Sequence, residues 1–221
     1  MKKTRFLFNK WFVLSLSFGV LSISGVAFSA FQQESYSSRL TVLLGIGPTN
    51  FSIVKEGELY RSGQIQSRFI RHVLLEHHIA HVVNLGIDKV KTDQIAERKT
   101  CSDLNISRHT FSLNRDGTGP VQSYIDAIES ITNARRAGIP VLVHCSAGAQ
   151  RTTGVVALYQ ILIEGKDVST AVAHALEYHS PEDKPALYAY LNTNIATIAQ
   201  GLVDRGVIER LPAILPVFKV N

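Results

Sequence analysis

Pro140-Val141-Leu142-Val143-His144 is an apolar run with no alternation, too short for a helix, and it ends in a turn. A strand of that composition is buried on both faces, as in a central parallel strand with helices above and below it. Helical patterns lie on either side. Pro120 opens a segment carrying Val121, Ile125, Ile128 and Ile131 toward a core and ending near Gly138; another runs from about Thr152 to Glu164. Upstream, Gly57 to Gln64 reads as a short strand entering a turn, Ser67–His78 as a helix and His81–Leu85 as a buried strand. Thr92 is expected to cap a short helix reaching about Lys99, and Ile106–Leu113 reads as a further strand. Two more helices are expected near Ser169–Tyr178 and Lys184–Gln200. This alternation predicts an α/β fold with a central, mostly parallel sheet flanked by helices.

With 221 residues, 45% of them hydrophobic and 19% charged, the chain suits one domain plus an extension. Residues 1–30 form that extension. Lys2, Lys3, Arg5 and Lys10 precede an apolar, serine-interrupted run from Trp11 to Phe28 that ends in small residues, the layout of a secretory signal peptide. An uncleaved anchor helix is the alternative. Either way the rest of the chain is expected outside the cytoplasm, most simply in a bacterial periplasm, with membrane contact only through an uncleaved N-terminal segment. Residues 31–54 read as a lead-in, 55–200 as the domain and 201–221 as a tail with no interpretable period. Without the four cations of the extension, 19 of the 23 basic residues remain against 18 acidic ones, so the formal charge of +5 gives no case for a nucleic-acid partner. His77, His78 and His81 read as a helix end with solvated imidazoles rather than a metal site, and neither a metal nor a cofactor is implied. Cys101 reads as an ordinary semi-buried thiol that could also pair with Cys145 in an oxidising compartment.

The segment that carries chemistry is His144-Cys145-Ser146-Ala147-Gly148-Ala149-Gln150-Arg151-Thr152-Thr153. A strand delivers Cys145 to a loop, and a helix begins at about Arg151. Backbone N–H groups curled ahead of a helix N-terminus cradle an anion and favour a thiolate. Gly148 permits the tight curl. Arg151 offers a planar fork for two phosphate oxygens. Ser146, Ala147, Gly148, Ala149 and Gln150, with Arg151, are therefore the candidate substrate-binding residues.

This segment resembles the Cys-x5-Arg signature of the protein tyrosine and dual-specificity phosphatases, with the preceding His and following Thr also in place. A weaker resemblance to compact bacterial and fungal members covers about residues 55–180, carried by Leu59-Tyr60-Arg61-Ser62-Gly63-Gln64 and Val82-Val83-Asn84-Leu85. The chain departs from the pattern at Thr153, where many members have Gly; here Gly154 comes one residue later. The resemblance implies Cys145 as nucleophile, Arg151 as phosphate holder, and a hydrogen bond from Thr152 to the sulfur. It implies that His144 orients the loop and supports a low thiolate pKa. It also implies an aspartate acid on an upstream loop, and Asp116, 29 residues before Cys145 on a Gly/Pro-containing loop, fits. Asp-Gly is equally a common turn pair. Asp103 precedes a strand and Asp126 sits in a helix, which makes them poorer candidates. Arg115 reads equally as an anion contact and as a solvated cation.

The substrates so implied are phosphotyrosine and phosphoserine or phosphothreonine on proteins, or a small phosphate ester. The absence of a Trp-Pro lead-in before Asp116 favours a shallow, dual-specificity-like pocket. Inositol phosphates or phosphoinositides are an alternative with the same chemistry, although Ser146, Ala147, Ala149 and Gln150 are all neutral. A rhodanese-like sulfurtransferase and a non-catalytic phosphate-binding module are further alternatives.

Overall fold

The computed structural model of the protein describes residues 49–176 and 185–219. Residues 1–30, most of the lead-in and the end of the helix expected to reach Tyr178 lie outside the described residues. Five strands form one sheet: β1 (Ser52–Lys55), β2 (Leu59–Ser62), β3 (His81–Asn84), β4 (Ser107–Thr110) and β5 (Val141–His144), in the order β1-β2-β5-β3-β4. The unalternated apolar run is the middle strand, parallel to β2 on one side and β3 on the other. Only β1 is antiparallel, paired with β2 through a turn at Gly57. As an edge strand with only Ser52 fully buried, it has no apolar pattern that would have announced it.

Side chains along the strands alternate between two packed layers, as the pleat requires. Leu59, Val83, Val141 and Val143 face a cluster built by α3 (Val121–Arg136), α4 (Gln150–Leu162), α5 (Val168–Leu176) and α6 (Pro185–Asp204). Tyr60, Val82 and Leu142 face the other cluster, with α1 (Ser67–Glu76) and α2 (Thr92–Asp103). Helix α4 is buried around its whole circumference, the mark of a helix enclosed by others. Cys145 belongs to the first cluster and Cys101 to the second, so the two free thiols lie on opposite faces of the sheet and are not partners.

Three expectations need correction. Thr92 does not cap α2: Lys91 occupies the N-cap without a side-chain bond, and the helix continues to Asp103. Its inward face is Gln94, Glu97 and Cys101, so no apolar stripe reveals its length. Asp93 instead accepts from the N–H of Ser67 at 2.8 Å, capping α1 from another element. Of the three clustered histidines only His78 is exposed. His77 stacks on Phe51 and packs at a tilt against Tyr60, with ring centroids 4.9 and 4.8 Å away. His81 is buried, its Nε2 2.8 Å from Ser130 Oγ, and burial depresses its pKa to about 4. The tail also has a structural part: Phe218 is buried, stacks on Tyr188, and exchanges two 2.8 Å hydrogen bonds with the Asn192 side chain.

Candidate active site

The parallel register sets Ser62 and Asn84 level with His144, so the C-terminal ends of β2, β3 and β5 open at one edge of the sheet. Ligands of open α/β sheets bind at this edge. The segment from Cys145 to Gln150 leaves β5 there and curls into α4.

What shapes the curl is the fate of its carbonyls. Ser146 O accepts from the Gln64 N–H at 3.0 Å, Ala147 O from Asn50 Nδ2 at 2.7 Å, and Gly148 O from Arg61 Nη2 at 2.6 Å. Three consecutive carbonyls are thus drawn outward by residues of the 49–64 segment. Their amide N–H groups turn toward the centre, where the Gly148 N–H donates to Cys145 Sγ at 3.2 Å. Such a ring of amides is an anion nest. Gly148 sits at φ +70, and a Cβ there would lie 2.5 Å from Gly63 N and 2.6 Å from Ser62 C. Only glycine allows the loop to lie this close to the end of β2.

Cys145 is 3% exposed. Burial alone pushes its thiol pKa up, but the Thr152 hydroxyl, the Arg151 charge and the N–H groups of Thr152 and Gly148 outweigh it and hold the thiol below its ordinary range. The Thr152 hydroxyl is buried and has no hydrogen-bond partner among the described residues. Arg151 is buried too, and its Nε has no hydrogen-bond partner among the described residues. A Cβ on Gly86 would lie 3.4 Å from Arg151 Nη1, so the loop after β3 passes against the guanidinium. A buried cationic fork with an unspent donor, close to the cysteine sulfur and inward amides, is suited to a tetrahedral oxyanion.

His144 is fully buried, with Nδ1 3.4 Å from Cys145 O and Nε2 3.2 Å from Glu97 Oε1. Burial favours the neutral imidazole, but the Glu97 carboxylate outweighs it and raises the pKa.

Asp116 lies on the turn after β4, exposed. Its Oδ1 accepts from Thr118 N at 3.0 Å and Thr118 Oγ1 at 2.8 Å, and these bonds hold its pKa below the usual carboxylate value. The next residue, Gly117, brings the turn against the start of α4: a Cβ there would be 3.4 Å from Gln150 C. The buried Tyr124 hydroxyl donates to Gly117 O at 2.6 Å and anchors the turn. That hydroxyl passes over Gly154, where a Cβ would come within 2.5 Å of it. The shifted glycine therefore has a use, and Thr153 has one as well, because its Oγ1 accepts from Arg61 Nη2 at 3.1 Å.

Sequence reasoning passed over Asn50, Arg61, Gln64, Glu97 and Tyr124. Arg61 and Gln64 lie in the Leu59–Gln64 segment, where nothing in the sequence marks their role. Glu97 had no signal at all, since a lone Glu in a polar helix reads as solvated.

No protein-family model matches the sequence, and no curated protein matches it. Solved structures do resemble it. TpbA from P. aeruginosa superposes with a TM-score of 0.57 at 20% identity, covering 70% of this chain and 91% of its own. PTPMT1 gives 0.57 at 15% identity over 71% of this chain and 98% of its own. The core catalytic domain of the PP-IP phosphatase SIW14 from S. cerevisiae gives 0.55 at 18% identity over 70% and 93%. The fold is that of the dual-specificity-like phosphatases. TpbA has been solved in complex with phosphotyrosine, and PTPMT1 in complex with PI(5)P.

Proposed function

We propose that this chain is a phosphatase that hydrolyses phosphate monoesters through a phosphocysteine intermediate, acting on phosphotyrosine and also phosphoserine or phosphothreonine in proteins. The observation that carries the reading is the loop whose carbonyls at Ser146, Ala147 and Gly148 are tied outward while its amides face a buried cysteine. The Cys145 thiolate attacks phosphorus as the bond to the leaving oxygen breaks, and Asp116 gives that oxygen its proton. Water then attacks phosphorus, passes a proton to Asp116, and the thiolate departs, stabilised by the Thr152 hydroxyl. Arg151 and the loop amides hold the three equatorial oxygens throughout. The neutral side chains of Ser146, Ala147, Ala149 and Gln150 provide no cation for a second phosphate, which favours a simple monoester over an inositol polyphosphate.

Asp116 is the part to test. Asp116→Asn should cost about 10²–10⁴-fold in kcat on phosphotyrosine peptides, whose phenolic oxygen leaves poorly without a proton, and much less on nitrophenyl phosphate. The Thr118 bonds favour the carboxylate, so the alkaline limb of kcat/KM, which reports loss of the acid's proton in the free enzyme, should fall on the acidic side. Asp116→Asn should flatten that limb, and Thr118→Val should move it to higher pH. Equal losses on both substrates with an unchanged profile and a lower Tm would make Asp116 a turn residue. The same assays with inositol phosphates and phosphoinositides decide between substrate classes.

We also propose that residues 1–30 carry the domain out of the cytoplasm. Among the described residues no helix is long and apolar enough to cross a membrane. Fused to a reporter that folds only outside the cytoplasm, residues 1–30 should give activity; a reporter active only in the cytoplasm would refute export.

A further inference from the structure

Behind the amide nest lies a buried carboxylate to which the reaction above gives no task. Glu97 is 0% exposed, on the polar inward face of α2. Its Oε1 stands 3.2 Å from His144 Nε2 and 2.8 Å from Arg108 Nε, and its Oε2 accepts from Gln64 Nε2 at 2.7 Å. Burying a charge this completely is costly unless partners compensate, and removing one partner of such a set strands the others. Two of these three partners lead directly to the catalytic loop. His144 immediately precedes Cys145, and the N–H of Gln64 holds the Ser146 carbonyl at 3.0 Å.

We propose that Glu97 is a positioning residue that holds His144 as an imidazolium next to the nucleophile and, through Gln64, keeps the first carbonyl of the loop turned out of the nest. This rests on the reading of Cys145 as the nucleophile. The charge inventory is short. Facing Glu97 and His144 are Arg108 from β4, the Cys145 sulfur, and Cys101 one turn further along α2. Arg108 is itself held by Asp88 at 2.8 Å, and Arg98 lies 3.6 Å from the same carboxylate. Without Glu97, His144 would face Arg108 within the protein interior and would lose its proton. The thiolate would then lose a neighbouring positive charge. Partner charges outweigh burial at both groups: Glu97 is held down at about 2 by His144 and Arg108, and His144 is raised by Glu97.

Alkylation of Cys145 by iodoacetamide, followed against pH and resolved by peptide mass spectrometry so that Cys101 is counted separately, reads the thiolate without any phosphate ester. Glu97→Gln should move the midpoint up by about one pH unit, so that the reaction slows about tenfold at pH values well below both midpoints and is unchanged well above them. His144→Asn should give the same displacement, and adding Glu97→Gln to His144→Asn should displace it no further. A lower Tm with an unmoved midpoint, or additive displacements in the double variant, would overturn the proposal. If Glu97→Gln does not fold, NMR titration of the His144 ring in the unaltered protein decides. An imidazolium persisting beyond the pH at which a free histidine loses its proton supports the pair, and a ring already neutral there refutes it. Neither measurement uses turnover. An inactive protein with these midpoints would disprove the phosphatase reading alone, whereas an active one without them would disprove only the role of Glu97.

Discussion

Cys145→Ser should lower kcat by about 10⁴-fold or more while phosphate-ester binding stays within a few-fold of the unaltered protein. The reason is the division of labour at the loop. In the proposed reaction binding comes from the amides and from Arg151, and neither depends on sulfur. Attack depends on an ionised nucleophile, and the surroundings that keep the Cys145 thiol below its ordinary pKa cannot bring a hydroxyl into range. Arg151→Lys tests the other half. A lysine places one charge on a flexible stem where a planar fork was packed 8% exposed against the Gly86 loop. Losing one preorganised donor to the equatorial oxygens should cost about 10²–10³-fold in kcat. Isothermal titration with phosphate, alongside steady-state kinetics, separates binding from chemistry. Near-normal rates in either variant would put the site elsewhere.

Gly148→Ala should also be damaging, although it adds only a methyl group. The left-handed backbone at φ +70 costs a non-glycine residue about 1–2 kcal/mol. The added carbon would also press against backbone, at 2.5 Å from Gly63 N, where no side chain can rotate away. Overpacking of this kind costs about 1–3 kcal/mol. The loop will relieve it by lifting off the end of β2, which breaks the Arg61 bond to Gly148 O and turns the amides out of line. Displacements of about 1 Å in a reacting geometry cost about 10²-fold in rate, and that is the expected fall in kcat/KM. Gly165→Ala is the control, because its φ of +69 carries the same backbone cost with nothing within 4 Å of the added carbon. It should lower Tm slightly and leave kcat/KM unchanged. Equal effects of the two substitutions on activity would mean that the contact with β2 is unimportant.

Much of the frame was readable along the chain because it rests on local pattern. The unalternated apolar run at 141–143 announces a doubly buried strand, and Val121, Ile125, Ile128 and Ile131 announce a helix face. Where local pattern is weak, the sequence hides β1 and the full length of α2 for a physical reason. β1 is a four-residue edge strand, and α2 turns Gln94, Glu97 and Cys101 inward, so neither has an apolar period. The tail hides Phe218 among prolines and aliphatics, and only its pairing with Asn192 shows why it is held.

The sequence by itself determined the reactive segment. Cys145, Gly148, Arg151 and Thr152 lie within eight residues, so strand, turn and helix place them together whatever the rest of the chain does. Tertiary structure decided how that segment is held and charged. The bonds that turn its carbonyls outward span 97 residues from Asn50 and 87 from Arg61, and the carboxylate facing His144 arrives from a helix packed on the opposite face of the sheet. Contacts of that range depend on sheet order and register. A lone Asn, a buried Arg and a Glu in a polar helix carry no mark of them in the sequence.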